Sequence, residues 1–393
     1  MMSYRTIEIA WLPRSGAAWG VFTAARAESA RLWSDLVELH FRVRRSGKKW
    51  PTMGRWQKWA KGKYTGLSAQ SVQQIIGEFC EAVSSATALR KNGRDVKYPW
   101  KKSKFRDITY TNQDARVRDG FLLLPNGKSG TLRVKMPVNL PGRLMEVHLS
   151  FGRVMLVREI SEGIKPAEPK VIGVDLGVNT LIAATDGRKA VLISGREVKA
   201  TIQWRNKCLS EIQGTQSKKT KGSRRWRSLS RRKRQMLAKA NNRVKDACHK
   251  ATRKIADAFP DAKAYVGEAF NDAAQKHGRK TAQTVSQACC GRITRMLDYK
   301  LSGAIVVNEA WSSQTCPVCG EKAKCRRSFK CPKCGYAAPR DVVGCTNILR
   351  TGRDGGMKPG RRVPNTIHWV LPVQVSRGDL GSSGGHPASS SGN

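Results

Sequence analysis

Residues Ala310–Leu349 read AWSSQTCPVCGEKAKCRRSFKCPKCGYAAPRDVVGCTNIL. Four cysteines form two knuckles, Cys316/Cys319 and Cys331/Cys334, separated by eleven residues. Each knuckle is Cys-Pro-x-Cys-Gly, in which the proline stiffens the turn and the glycine lets backbone amides face the sulfurs. Four thiolates at this spacing suit one tetrahedral zinc ion, a zinc ribbon. Two disulfides, or cysteines that are merely buried, are the alternatives. Seven residues beyond the last cysteine comes Asp341, at the start of a helix-like segment. That adjacency directs attention to other acids that could join it.

The chain has 393 residues, enough for two to three structural units, and 39% are apolar. It carries 73 Lys+Arg against 29 Asp+Glu, a formal charge of +44. Folding does not need such an excess, and self-repulsion works against it. A long polyanion, nucleic acid first, is the expected partner. A solvated basic surface, or a ribosome-associated protein, would be the blander explanation. Cys80, Cys208, Cys248, Cys289, Cys290, Cys325 and Cys345 show no framework spacing, which suggests a reducing compartment. The first residues lack the apolar core of a signal peptide, and no apolar run is long enough to span a bilayer, so a cytoplasmic protein without membrane contact is expected.

Lys170–Thr180, KVIGVDLGVNT, reads as a buried strand ending on Asp175. Strands at Leu181–Ala184 and Ala190–Ile193, joined at Asp186-Gly187, continue it as the start of an RNase-H-like sheet with its acid on the central strand. From Lys199 to Lys254 there are 19 Lys/Arg and two acids, with Gly214–Gly222 as the loop between two helices. Arg224, Arg225, Arg227, Arg231, Arg232, Lys233 and Arg234 lie in this basic hairpin, which is suited to a nucleic-acid backbone. A strand at Ala262–Val266 delivers Glu268; a helix over Thr281–Lys300 and a strand at Ala304–Val307 follow. The first and fourth strands of such a sheet are neighbours, so Asp175, Glu268 and Asp341 would converge. Three carboxylates in one place call for cations, and two Mg²⁺ ions suit phosphodiester hydrolysis. The IGVDLG string also occurs in actin-like ATPases and sugar kinases, but the second phosphate loop and the adenosine loop those need are not found.

In the N-terminal half, Tyr4–Leu12 reads as a strand. Ala25, Leu32, Leu36, Leu39 and Val43 fall on one helical face, and Val72, Ile75, Ile76, Phe79 and Val83 on another, over about Ser68–Leu89. Between them Arg44, Arg45 and other cations interleave with Trp50, Trp56 and Trp59. A similar mixture recurs at Lys97, Tyr98, Trp100, Lys101 and Lys102. Such mixtures bind unpaired bases, or are loops with ordinary tryptophan anchors. Period-two alternation over Ile108–Ile160 describes an antiparallel sheet or small barrel that the first strand could complete, with Ser161–Pro169 as a linker. From Thr351 onward the chain turns rich in Gly, Ser and Pro, and its end, SSGGHPASSSGN, is expected to be disordered.

The order acid, basic hairpin, acid, zinc ribbon, acid resembles TnpB, the transposon-encoded RNA-guided nuclease family related to compact type V CRISPR effectors. The resemblance covers most of residues 1 to about 352 and is strongest in SSQTCPVCG, FKCPKCGY and RDVVGCTNI. The family usually has Asn-Ala-Ala where this chain has Val343-Gly344-Cys345, and favours Asp-Leu where Ala269-Phe270 stands. The resemblance implies a multidomain α+β and α/β architecture. Residues 1–16 and 101–165 would form a wedge-like β-barrel and 17–100 a helical recognition insertion. Residues 166–310 and 337–352 would form a RuvC nuclease domain with the hairpin 199–254, 311–336 the zinc ribbon, and 353–393 a disordered tail. It implies an RNA-guided, Mg²⁺-dependent DNA endonuclease with one zinc ion, catalytic Asp175, Glu268 and Asp341, and guide RNA and target DNA as partners. Arg44, Arg45, Lys101, Lys102 and the hairpin cations would contact nucleic acid. A homodimer is left open. A non-cleaving RNA-guided binding protein, or a RuvC-like nuclease or transposase acting without RNA, are the rival readings.

Overall fold

The computed structural model describes residues 2–136, 140, 142–161, 168–268, 283 and 288–370. The chain divides into two compact units, Met1–Ile164 and Lys165–Asn393. Most of the expected linker, the Ala269-Phe270 departure, the start of the Thr281 helix and residues 371–393 lie outside the described residues.

The first unit runs β1 (Met2–Ala10), α1 (Gly16–Arg45), α2 (Met53–Ala60), α3 (Ala69–Lys91), β2 (Ile108–Thr111), β3 (Arg116–Arg118), β4 (Phe121–Pro125), β5 (Thr131–Lys135), β6 (Arg143–Ser150) and β7 (Arg153–Ser161). Ser15 and Ser68 cap α1 and α3, their hydroxyls accepting from the Ala18 and Ser71 amides. The anticipated apolar stripes face inward: Ala25, Leu32 and Leu36 on α1 and Ile75, Ile76 and Phe79 on α3 are buried. As expected, β1 returns to the sheet, pairing with β7 from Met2 opposite Ser161 to Ala10 opposite Arg153. The expected barrel is corrected. The strands form a four-stranded sheet, β1-β7-β6-β2, and a separate three-stranded sheet, β3-β4-β5, with no closed barrel among the described residues. Alternation marks which residues are strands and which face is buried; it does not say whether the edges, here β1 and β2, meet. Helices and both sheets share one core, in which Leu36 and Phe79 join Tyr110, Leu122, Leu124, Val147 and Leu156.

The second unit runs β8 (Val171–Leu176), β9 (Thr180–Thr185), β10 (Lys189–Ser194), α4 (Arg196–Ser217), α5 (Arg224–Ala258), β11 (Lys263–Gly267), α6 (Cys290–Lys300), β12 (Ala304–Val307), β13 (Ser328–Lys330), β14 (Ala337–Pro339), α7 (Arg340–Asp354) and β15 (Thr366–Val370). Asp186 Oδ1 accepts from the Arg188 and Lys189 amides, which with Gly187 at φ +86° closes the β9–β10 hairpin. The main sheet has the order β12-β11-β8-β9-β10-β15. The first and fourth strands of the unit, β8 and β11, are parallel neighbours, as the sequence requires. The outermost strand is a second correction. Thr366–Val370 lies in the stretch expected to be disordered, yet pairs in parallel with β10, Lys189 opposite Thr366 and Ile193 opposite Val370. A five-residue strand with three exposed and two half-buried residues shows no alternation strong enough to stand out in Gly- and Pro-rich flanks.

Candidate functional site

Three elements of the second unit converge around Asp175. In β8, Ile172 and Val174 are buried in the main core, so Gly173 and Asp175 share the opposite face. That face meets the final helix, α7. A Cβ on Gly173 would stand 2.1 Å from the Cys345 carbonyl oxygen, so only glycine lets strand and helix backbones approach this closely. One step along, Asp175 reaches the helix's first turns, where Gly344 leaves room: a Cβ there would stand 2.6 Å from Asp175 Oδ2. Gly344 occupies the middle of the Val343-Gly344-Cys345 departure noted in the sequence.

Asp341 lies in the first turn of α7, where the helix's free amides favour an anion. The Thr180 hydroxyl at the head of β9 donates to Asp341 Oδ2 in a short hydrogen bond. Glu268 follows the last residue of β11, its amide donating to the Val307 carbonyl at 2.8 Å, and is exposed. A fourth acid, Glu309, stands two residues beyond β12. A Cβ on Gly267 would fall 2.3 Å from Glu309 Oε2, so this carboxylate lies over the end of β11 beside Glu268. Electrostatics ties the four together. Burial, then the charges of Glu309 and Asp341, push Asp175 up to about 7, although part of its surface stays accessible. Burial and the charge of Glu268 push Glu309 up to about 7. This mutual repulsion is what a cation relieves, and the donors are the hard oxygens that Mg²⁺ prefers. The carboxylate oxygens are not closed to 4.8 Å of one another: among the described residues only the four cysteines form a group that tight.

Cys316 and Cys334 place their sulfurs 3.6 Å apart, and Cys319 and Cys331 theirs 3.4 Å apart. Zn–S bonds of about 2.3 Å in a tetrahedron set sulfur–sulfur separations of about 3.8 Å, so the cluster fits zinc with a small expansion. Gly320 and Gly335, at φ +81° and +72°, end the two knuckles in the left-handed region. Burial pushes Cys316 up to about 12 against the amides of Cys319 and Val318, which pull it down. At Cys331 burial is overcome by the Cys334 and Lys333 amides, which with neighbouring sulfurs bring the thiol down to about 7. The ribbon is fastened to α7 by two buried side chains. Asn347 Nδ2 donates to the Ser312 and Thr315 carbonyls, each at 2.7 Å. The Arg350 guanidinium donates to the carbonyls of Pro317, Lys358, Gly360 and Arg362.

The basic hairpin is α4 and α5, sealed by Ile212, Leu229 and Met236. Arg224, Arg225, Arg227, Arg231, Arg232 and Arg234 are exposed and Lys233 is half-buried. None of the seven has an acidic partner among the described residues. In the first unit, Arg45 and Lys101 are exposed, Arg44 lies 4.0 Å from the Tyr98 ring centroid, and Lys102 is taken up by an ion pair with Glu38. The three tryptophans of this region are packing residues. Trp56 is buried, with Trp50 and Trp59 at ring separations of 5.0 and 6.0 Å.

Two family models match this sequence. The probable transposase family OrfB_IS605 matches residues 155–263, and the Cas12f1-like TNB domain matches residues 280–348. The TnpB-like protein MJ0012 of Methanocaldococcus jannaschii is 43% identical over 63 residues, which cover 16% of this chain and 29% of that protein. The resemblance to TnpB is borne out. The two family-model matches begin in β7 and end in α7, with residues 264–279 matched by neither, and the second takes in the four cysteines. Among solved structures, the Cas12f1–sgRNA–target DNA complex is similar at 14% identity and a TM-score of 0.35, over 89% of this chain and 100% of that one. CasPhi-2 (Cas12j) bound to crRNA and phosphorothioate-DNA is similar at 9% identity and a TM-score of 0.42, over 91% and 93%. Both overlaps are loose. No helix among the described residues is long and apolar enough to cross a membrane.

Sequence reasoning missed Glu309, Thr180 and Arg350. Glu309 carried a faint signal, an acid just past the end of a strand adjacent to that of Glu268. Thr180 and Arg350 carried none.

Proposed function

We propose that this chain is an RNA-guided DNA endonuclease of the RuvC type. The observation that supports this most is the meeting of Asp175 with Asp341 and Glu309 at the ends of β8, α7 and β12, with Glu268 beside Glu309. A central acid-bearing strand flanked by the second and fourth strands fits an RNase-H-like sheet. Asp175, Glu268 and Asp341 would hold magnesium. Two magnesium ions held there would supply an activated water and would stabilise the leaving oxygen of an in-line displacement at phosphorus. The chain's own part is positioning. Gly173 and Gly344 let Asp175 reach the final helix, Thr180 orients Asp341, and Asn347 and Arg350 fix the zinc ribbon to the helix that carries it. The unpaired arginines of the hairpin would follow a phosphate backbone, while guide pairing supplies sequence specificity.

The test is Mg²⁺-dependent cleavage of a DNA matched to the bound RNA. Asp175→Ala should abolish cutting while RNA-dependent DNA binding persists. Cutting that survives in Asp175→Ala places the reaction elsewhere. A wild-type protein that binds its target without cutting would be a non-cleaving RNA-guided binder.

A further inference from the structure

The first unit contains a cleft of about 510 Å³ floored by Phe41, Tyr98 and Trp100. That is within the roughly 300–1,000 Å³ common for small-ligand sites. Arg44, Arg45 and Arg90 edge it together with Lys97, and no acid lines it. The three arginines close the C-terminal turns of α1 and α3, which the helix dipole alone would favour. The dipole does not account for three rings gathered among them. Tyr98 is already engaged, with the Arg44 guanidinium 4.0 Å, that of Arg90 5.5 Å and the His40 ring 5.1 Å from its centroid. Trp100 is different. It is 60% exposed and makes no ring contact among the described residues, whereas Trp56 in the same unit is 4% exposed. Holding a bare indole in water beside arginines gains nothing for folding.

We propose that this cleft seats one unpaired nucleotide, its base stacked on Trp100 and its phosphate met by Arg45 and Lys97. A flat ring takes any base by stacking. Arg90 is held by Asp95 at 3.9 Å, whereas Arg45 and Lys97 have no acidic partner among the described residues and are left to take the backbone charge. The site rests on the nucleic-acid-binding half of the function proposed above and is independent of cleavage. An unpaired residue in RNA and one in DNA present the same chemistry, and the two are separated by experiment.

The experiment uses the full chain freed of bound RNA, titrated by fluorescence anisotropy against four probes. These are a single-stranded RNA, the same sequence as single-stranded DNA, a fully abasic strand of equal length, and the duplex. Trp100→Ala should weaken binding of an intact single strand by about five- to a hundredfold, with no change in the salt slope. It should leave the abasic strand and the duplex unaffected, and Trp100→Phe should restore most of the affinity. Arg45→Ala should lower the slope of log K against log salt by about one. A loss confined to the RNA probe assigns the cleft to RNA, and one confined to the DNA probe assigns it to DNA. Equal affinity of wild type and Trp100→Ala for both single strands overturns the proposal. So does an equal loss on the abasic strand, which would mean damaged folding or charge. Cleavage lost through Asp175→Ala, or never present, leaves these readouts unchanged.

Discussion

Asn347 is 1% exposed and both its side-chain hydrogen bonds end on backbone carbonyls, those of Ser312 and Thr315, so the amide nitrogen must face them. Asn347→Ala leaves both carbonyls without a donor in a place water reaches poorly, since Ser312 and Thr315 are 7% and 6% exposed. An unpaired buried carbonyl costs about 1–3 kcal/mol, so the pair sets ~2–6 kcal/mol. For a unit of roughly 150–250 residues that corresponds to a fall in melting temperature of about 4–24 °C. The two carbonyls bracket the root of the zinc ribbon, so the same change should speed transfer of zinc to a chromophoric chelator. Thermal melting by circular dichroism and zinc release give independent readings. Asn347→Asp keeps the shape and removes both donors, so it should be at least as damaging at neutral pH. A melting temperature within about 1 °C of wild type, with unchanged zinc release, would refute the view that Asn347 clamps the ribbon to the final helix.

Gly173→Ala should destabilise the second unit strongly, by more than the ~1–3 kcal/mol of ordinary overpacking, because the new methyl meets backbone rather than a side chain that can move; denaturant melts read this directly. Cys331→Ser should lower zinc content from one ion per chain toward none, checked by elemental analysis of the purified protein. Replacing Arg231, Arg232 and Arg234 together by alanine should reduce the salt slope of nucleic-acid binding by about three, with melting temperature unchanged. His40 is pushed down from 6.5 to about 4, by burial and then by the charge of Arg44. The unfolded chain therefore binds a proton at His40 between those values that the folded chain refuses, so stability falls as pH drops from about 6.5 to about 4. His40→Phe should flatten that part of the pH–stability curve; an unchanged acid limb would show that other groups control it.

The parts legible in the sequence were those in which local pattern and fold agree. The buried apolar run to Asp175, the paired knuckles and the charge-dense hairpin each occupy one continuous stretch, and each folds as its pattern implies. Glu268 and Asp341 could be placed because the strands and helix bearing them were recognisable. Glu309 was passed over although its strand, β12, was recognised, because an acid two residues past a strand end has no local pattern that marks it as facing Asp175. The barrel was over-read, since closure depends on strand edges meeting and alternation is silent about edges. The strand at Thr366–Val370 was hidden by composition: its partner β10 lies far back in the chain, and parallel pairing leaves no hairpin signature. The tryptophans at 50, 56 and 59 looked equally like stacking platforms and packing anchors. Only burial separates the two roles, and burial is a property of the assembled core.

The most direct test of the central claim is to purify the protein from cells carrying its native locus and sequence the RNA that accompanies it. An RNA-guided nuclease predicts one discrete non-coding RNA with a variable end, and that end specifies which DNA the protein cuts in magnesium. A random sample of cellular transcripts would contradict the guided reading and leave a basic zinc-ribbon protein whose specificity comes from its own contacts with DNA.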